Sequence, residues 1–112
     1  LVKSHEWSYY LGNIREKFPE DWIMMIYRPD MSSYAWWHEA GGFQIKYPNY
    51  SAYKNSSVMM CEIMKQNSAI LEFGMINKCK WEYFTSEWVK ENFHQEIEVH
   101  KSFPDILVTL VK

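Results

Sequence analysis

Long hydrophobic runs are missing from this sequence: the longest unbroken apolar stretch covers residues 22–27, where a bilayer-spanning helix needs about 20. A membrane-spanning helix is therefore not expected. The first residues also lack the basic start, apolar core and small-residue cleavage site of a secretory signal, so a cytoplasmic location is the expectation. Basic clusters are missing too. Twelve Lys and Arg stand against fourteen Asp and Glu, a net charge of −2. No segment gathers the positive charge needed to neutralise several phosphates, so nucleic acid is not the expected partner. Cysteine is scarce: Cys61 and Cys79 could form one disulfide, but both fall in strand-like patterns, where a small buried thiol is ordinary. Glycine is scarce as well, and Gly41-Gly42 is the one pair, so no glycine-rich phosphate loop is present. Patterns of the CxxC, HxH, HExxH and GxSxG kinds are absent. A transition-metal site built from Cys61, Cys79, His94 and His100 is announced by no spacing, and neither metal nor cofactor is expected.

What the chain does have is aromatic rings. Its 112 residues suit one domain over 1–112, with 47% hydrophobic and 23% charged residues, which sets disorder aside. Six Trp, eight Tyr and six Phe make up 18% of the chain. A core of this size cannot easily hide so many, so some are expected in a groove or at an interface.

The patterning places the elements. Ser4 can cap a helix whose apolar residues Trp7, Tyr10, Leu11, Ile14 and Phe18 share one face, stopped by Pro19. Residues 22–27 form an unbroken apolar run, expected as a central strand covered on both faces. Asp30 or Ser32 can cap a short helix through Tyr34, Trp36 and Trp37 that ends at Gly41. Phe43, Ile45 and Tyr47 alternate with Gln44 and Lys46 as in a half-exposed strand, and turn formers accumulate over 48–57.

Residues 58–64 fit both periods and are taken as a strand. Gln66-Asn67-Ser68 then turns into a strand through Leu71, Phe73 and Met75, with Gly74 a candidate bulge, and Asn77-Lys78 turns into another through Cys79, Trp81 and Tyr83. Thr85 or Ser86 caps a helix through Trp88, Val89 and Phe93; Ile97 and Val99 alternate with Glu96, Glu98 and His100, and residues 106–111 form an apolar strand near the middle of the sheet. The expected class is α+β, with a mainly antiparallel sheet of five to six strands and two or three helices packed mostly on one face. Its core is expected to hold Trp7, Leu11, Ile14, Ile23, Met25, Ile45, Leu71, Phe73, Trp81, Val89, Phe93, Val99, Leu107 and Val108.

Three groups of residues could carry chemistry. Pro29-Asp30 after a buried strand, followed by Gln44-Ile45-Lys46, resembles a degenerate PD-(D/E)xK nuclease motif. That resemblance implies a metal-dependent nuclease in which Asp30 helps hold Mg²⁺ and Lys46 stabilises charge or positions water, with Glu6 as an upstream acid. Gln44 stands where that family has Asp or Glu, and the ordinary alternative is a turn Asp beside an exposed strand Lys. Glu96, Glu98 and His100 on one strand face could do acid–base work, though an exposed edge carries the same residues. Tyr34, Trp36, Trp37, Tyr47, Tyr50 and Tyr53, with His38 beside them, could anchor a partner or stack on a sugar, or could simply complete the core.

The reading favoured is a small binding protein acting through a protein–protein interface, such as an inhibitor or toxin-neutralising protein. The expected partner is another protein, a homodimer being admissible, with no membrane. The alternatives are a small metal-dependent nuclease or hydrolase at Asp30 and Lys46, and a carbohydrate or small-ligand binder using Trp36 and Trp37.

Overall fold

The computed structural model describes residues 2–29, 31–46, 50–100 and 105–112. A 3-10 turn over Glu6–Tyr10 runs into helix α1 (Leu11–Lys17), followed by strand β1 (Ile23–Tyr27) and helix α2 (Ser32–Glu39). Two 3-10 turns, Gly42–Gln44 and Ser51–Lys54, lead to the long helix α3 (Ser56–Ile76); strand β2 (Glu82–Tyr83), helix α4 (Ser86–Phe93) and strand β3 (Leu107–Val111) complete the order.

The class is α+β, but the sheet among the described residues has three antiparallel strands in the order β1-β3-β2, and the α-helices number four. The expectation of five to six strands with two or three helices is therefore corrected. Most of the difference is α3, which absorbs two expected strands and the turn between them. Its residues satisfy both periods because apolar side chains stand on both alternating sets: Met59, Cys61 and Ile63 on one, Met60 and Met64 on the other. Met59, Ile63, Gln66, Ile70 and Gly74 follow the 3.6 period that packing selects, and Ile63 and Gly74 are buried. The Asn55 side-chain carbonyl starts the helix, accepting from the Ser57 and Val58 amides at 2.9 and 3.2 Å.

The residues read as a turn inside α3 find partners there. Gln66 donates to Glu62 one turn back at 3.0 Å, and Asn67 donates to the Arg28 carbonyl at 3.2 Å. Gly74 is no bulge but a packing notch: a Cβ there would lie 3.1 Å from Cζ2 of the Trp81 indole. The helix stops at Asn77-Lys78, where Lys78 turns left-handed at φ 53° and the Cys79 amide bonds back to the Gly74 carbonyl at 2.8 Å.

Two further expected strands are missing. Residues 43 and 44 belong to a 3-10 turn, Ile45 and Lys46 follow it outside any strand, and Tyr47 lies outside the described residues. Residues 94–100 carry no strand; Val99 instead packs on α4, and its amide donates to Ser86 Oγ at 2.9 Å. The expected strand ending at Tyr83 is shortened to Glu82–Tyr83.

Two small cores lie on opposite faces of the sheet. Leu11 of α1, Met25 of β1 and Val111 of β3 are buried together on one face, backed by Ile70, Phe73, Cys79 and Trp81. On the other, Val108 is fully buried under Trp88 and Val89 of α4, with Phe84, Val99 and Leu110 around them. Strand alternation requires this split, since residues 108 and 111 of one strand point to opposite faces. Trp7 and Phe93, expected inside, are 40% and 44% exposed, whereas Trp37, Ile63 and Trp88 are buried. Trp7 loses its place because the first turn is 3-10. With three residues per turn, Ser8 and not Trp7 aligns with Leu11, and Ser8 is buried with its hydroxyl donating to the His5 carbonyl at 2.8 Å.

The central position belongs to β3, not to β1. Among the described residues strand β1 is an edge, paired with β3 alone in the register Met25↔Thr109. Ile23 and Met25 face the α1–α3 core, so Met24 and Ile26 must face the other way, toward the side on which α4 packs over Val108 of β3, and both are more than a third exposed. The expectation that this run is covered on both faces is corrected accordingly.

Candidate functional site

The residues proposed for catalysis are not gathered by the described structure. Asp30 lies outside the described residues, Gln44 ends a 3-10 turn, and Lys46 is exposed beyond it, so the strand that would present the nuclease-like Gln44 and Lys46 is absent. Glu6 sits exposed in the first 3-10 turn. Glu96, Glu98 and His100 occupy an irregular exposed segment rather than a strand face, and Glu96 pairs with Lys90 at 2.9 Å. Among the described residues no three His, Cys, Asp or Glu side chains are placed to hold a metal ion. Cys61 is exposed on α3 and Cys79 half-buried beyond its end, both as free thiols.

The aromatic residues do come together, around Trp37. Its ring meets Phe43 at 4.8 Å, His38 at 4.9 Å, Tyr53 at 5.4 Å and Tyr34 at 5.8 Å between centroids, and Tyr50 links Tyr53 to His5. Trp37 is buried, so these rings act in part as a local core that holds α2 and the two 3-10 turns. Gly42 permits this closeness. It adopts φ 54°, and a Cβ there would come within 3.0 Å of His38 Nδ1. Burial, reinforced by Tyr50, raises the pKa of the Tyr53 phenol above its ordinary value. Trp36 points elsewhere, with the Arg28 guanidinium 5.6 Å from its ring centroid, and Arg28 also pairs with Asp105 at 3.5 Å.

A second polar group sits where the N-terminal turn meets α3. The Tyr9 hydroxyl donates to Glu62 Oε1 at 2.7 Å, and Gln66 donates to the same oxygen. The Tyr9 bond, above all, holds the Glu62 carboxyl below its ordinary pKa. The Tyr9 phenol is pushed well up, first by burial and then by its bond to Glu62.

Exposed apolar side chains occur on several elements, and three of them share the open face of β1. Trp22, Met24 and Ile26 are 61%, 39% and 48% exposed. Beside them, a depression of about 240 Å³ is lined by Trp22, Trp88 and Leu110, with Lys80, Glu82 and Asn92 supplying polar groups. This is below the ~300 Å³ at which small-molecule pockets begin. Lys112 adds a cation 5.6 Å from the Trp22 ring centroid.

No protein-family model, curated protein or solved structure matches this chain.

Sequence reasoning missed the open face of β1 because an uninterrupted apolar run is the same string whether both faces are covered or one is bare. The outward phase of that run, Trp22, Met24 and Ile26, was the available signal.

Proposed function

We propose that this chain is a binding protein that acts through a protein–protein interface, centred on the open face of β1 and the depression beside α4. The observation that carries the reading is the row Trp22, Met24 and Ile26, three large apolar side chains on one face, each more than a third exposed. Each such side chain gains roughly 1.5–3 kcal/mol on complete burial, so a partner that covered the row would recover a substantial part of that. The size and the net charge of −2 fit a small inhibitor or toxin-neutralising protein. No described helix is long and apolar enough to cross a membrane.

The test is native mass spectrometry of the tagged protein recovered from its own source, beside Trp22→Ala/Ile26→Asp and Trp36→Ala variants. A stoichiometric protein partner lost by the first variant and kept by the second supports the reading. A partner lost only by Trp36→Ala would move the interface to the surface around Trp36 and Arg28, and no partner for any form would remove the reading's support.

A further inference from the structure

We propose that a second copy of this chain occupies the free edge of β1, so that β1 pairs antiparallel with its two-fold mate and joins two sheets into one of six strands. This rests on the reading of β1 as an interface strand and names its occupant.

The first argument is the edge itself. Strand β1 bonds to β3 on one side, and among the described residues no strand or backbone hydrogen bond meets its other side. Natural edge strands are guarded by charged side chains, proline or bulges. The sequence Ile23–Tyr27, IMMIY, contains no charge, no proline and no glycine. An unguarded strand of this composition is built to be paired.

The second argument is self-complementarity. A two-fold axis forces a strand to meet its own copy in antiparallel sense. With the axis at Met25, Met24 stands opposite Ile26, Ile23 opposite Tyr27 and Trp22 opposite Arg28, in both directions. Within Ile23–Tyr27 apolar meets apolar, the flanking Arg28 faces Trp22 rather than its own copy, and Arg28 already has Asp105 as counter-charge. The sheet order becomes β2-β3-β1-β1-β3-β2, antiparallel at every step.

The third argument is area. The chain exposes 8385 Å², where a compact monomer of 13.6 kDa exposes about 6,600 Å². That excess is more than the ~800 Å² that each partner contributes to an interface of ordinary size. The Cα radius of gyration, 14.9 Å, is likewise above the ~13 Å of a compact chain of this length. The surplus is spread over the whole chain and is large enough to include an interface of that size.

The test is sedimentation velocity across the micromolar range on the untagged chain, beside Met24→Lys/Ile26→Lys and, as control, Val58→Lys/Met64→Lys on the exposed face of α3. All substituted side chains are exposed, so the folds should survive, with circular dichroism and thermal melting to verify it. Wild type and the α3 variant are expected to move from 13.6 kDa to twice that mass as concentration rises, and the β1 variant to stay monomeric or dimerise at least tenfold more weakly. A wild type monomeric throughout, or a β1 variant that dimerises like wild type, would overturn the proposal. A monomeric wild type that still loses a partner from its own source on the β1 substitutions overturns the homodimer and leaves the interface reading standing. Loss of neither overturns both.

Discussion

Replacing Arg15 with alanine takes one guanidinium away from four backbone carbonyls. Nη1 reaches Phe18, Pro19 and Asp21 at 3.2, 3.1 and 2.8 Å, and Nη2 reaches Val111 at 2.9 Å. These bonds hold the turn between α1 and β1 and tie it to the end of the central strand. Nη1 has two hydrogens for three acceptors, so about three effective bonds are at stake. The bond to Val111 is partly buried, and a charged bond of that kind contributes about 1.5–3 kcal/mol; the exposed turn carbonyls can turn to water and contribute a few tenths each. Alanine and arginine have nearly equal helix propensity, so propensity does not offset the loss, and removal of the buried, unbonded Arg15 Nε offsets only part of it. The expected destabilisation is about 2–3 kcal/mol. Urea unfolding followed by tryptophan fluorescence should report it as a lower midpoint at unchanged slope. Arg15→Lys should recover only part, because a point charge replaces one of several forked bonds, and Lys17→Ala in the same turn should change little. If Arg15→Ala unfolds within about 0.5 kcal/mol of wild type, the clamp is not formed in solution. If Arg15→Lys equals wild type, a cation at the C-terminus of α1 and not the fork is what matters.

Three further outcomes are expected. Lys78→Gly should stabilise the chain by about 0.5–1 kcal/mol, because a left-handed residue at a helix end favours glycine; an unmoved urea midpoint would mean that α3 ends otherwise. Gly74→Val should destabilise by about 1–3 kcal/mol and shift the Trp81 emission, since its side chain meets an indole already at 3.1 Å from the Cβ position; a neutral substitution would refute the notch. The Glu62 carboxyl is held below its ordinary value, so its contribution is complete above the unfolded-state pKa and is lost as pH falls through the lower folded-state value. Tyr9→Phe removes the main cause, and urea midpoints measured from neutral to acid should therefore fall less steeply in that variant than in wild type.

The two binding hypotheses share one strand and make separate demands on it. A partner on the face of β1 needs Trp22, Met24 and Ile26 accessible, and pairing at its edge needs only backbone groups and uncharged neighbours. A continuous sheet would set two such faces side by side, between the two copies of α4. The aromatic cluster has a different standing. Trp37 is buried among Tyr34, His38, Phe43 and Tyr53 and serves the fold, while the half-buried tyrosines and the exposed His38 and Phe43 are left to meet a partner.

Local signals were enough for several elements. Pro19 stops α1, Thr85 caps α4 through a 3.1 Å bond from the Trp88 amide, and the apolar runs become β1 and β3, because each depends on a few neighbouring residues. The nature of α3 was not local. Methionine and isoleucine on both alternating sets satisfy a strand and a helix equally, and the contacts of Ile70 and Phe73 with the sheet, with Trp81 seated on Gly74, select the helix. Once α3 takes those residues, β1 keeps β3 on one side and, among the described residues, no strand on the other. The apolar string at 22–27 is then an edge with one bare face, and the candidate site exists there for that reason. The string itself specifies which residues are apolar; which of them meet solvent depends on what packs against them, and that is a property of the tertiary structure alone.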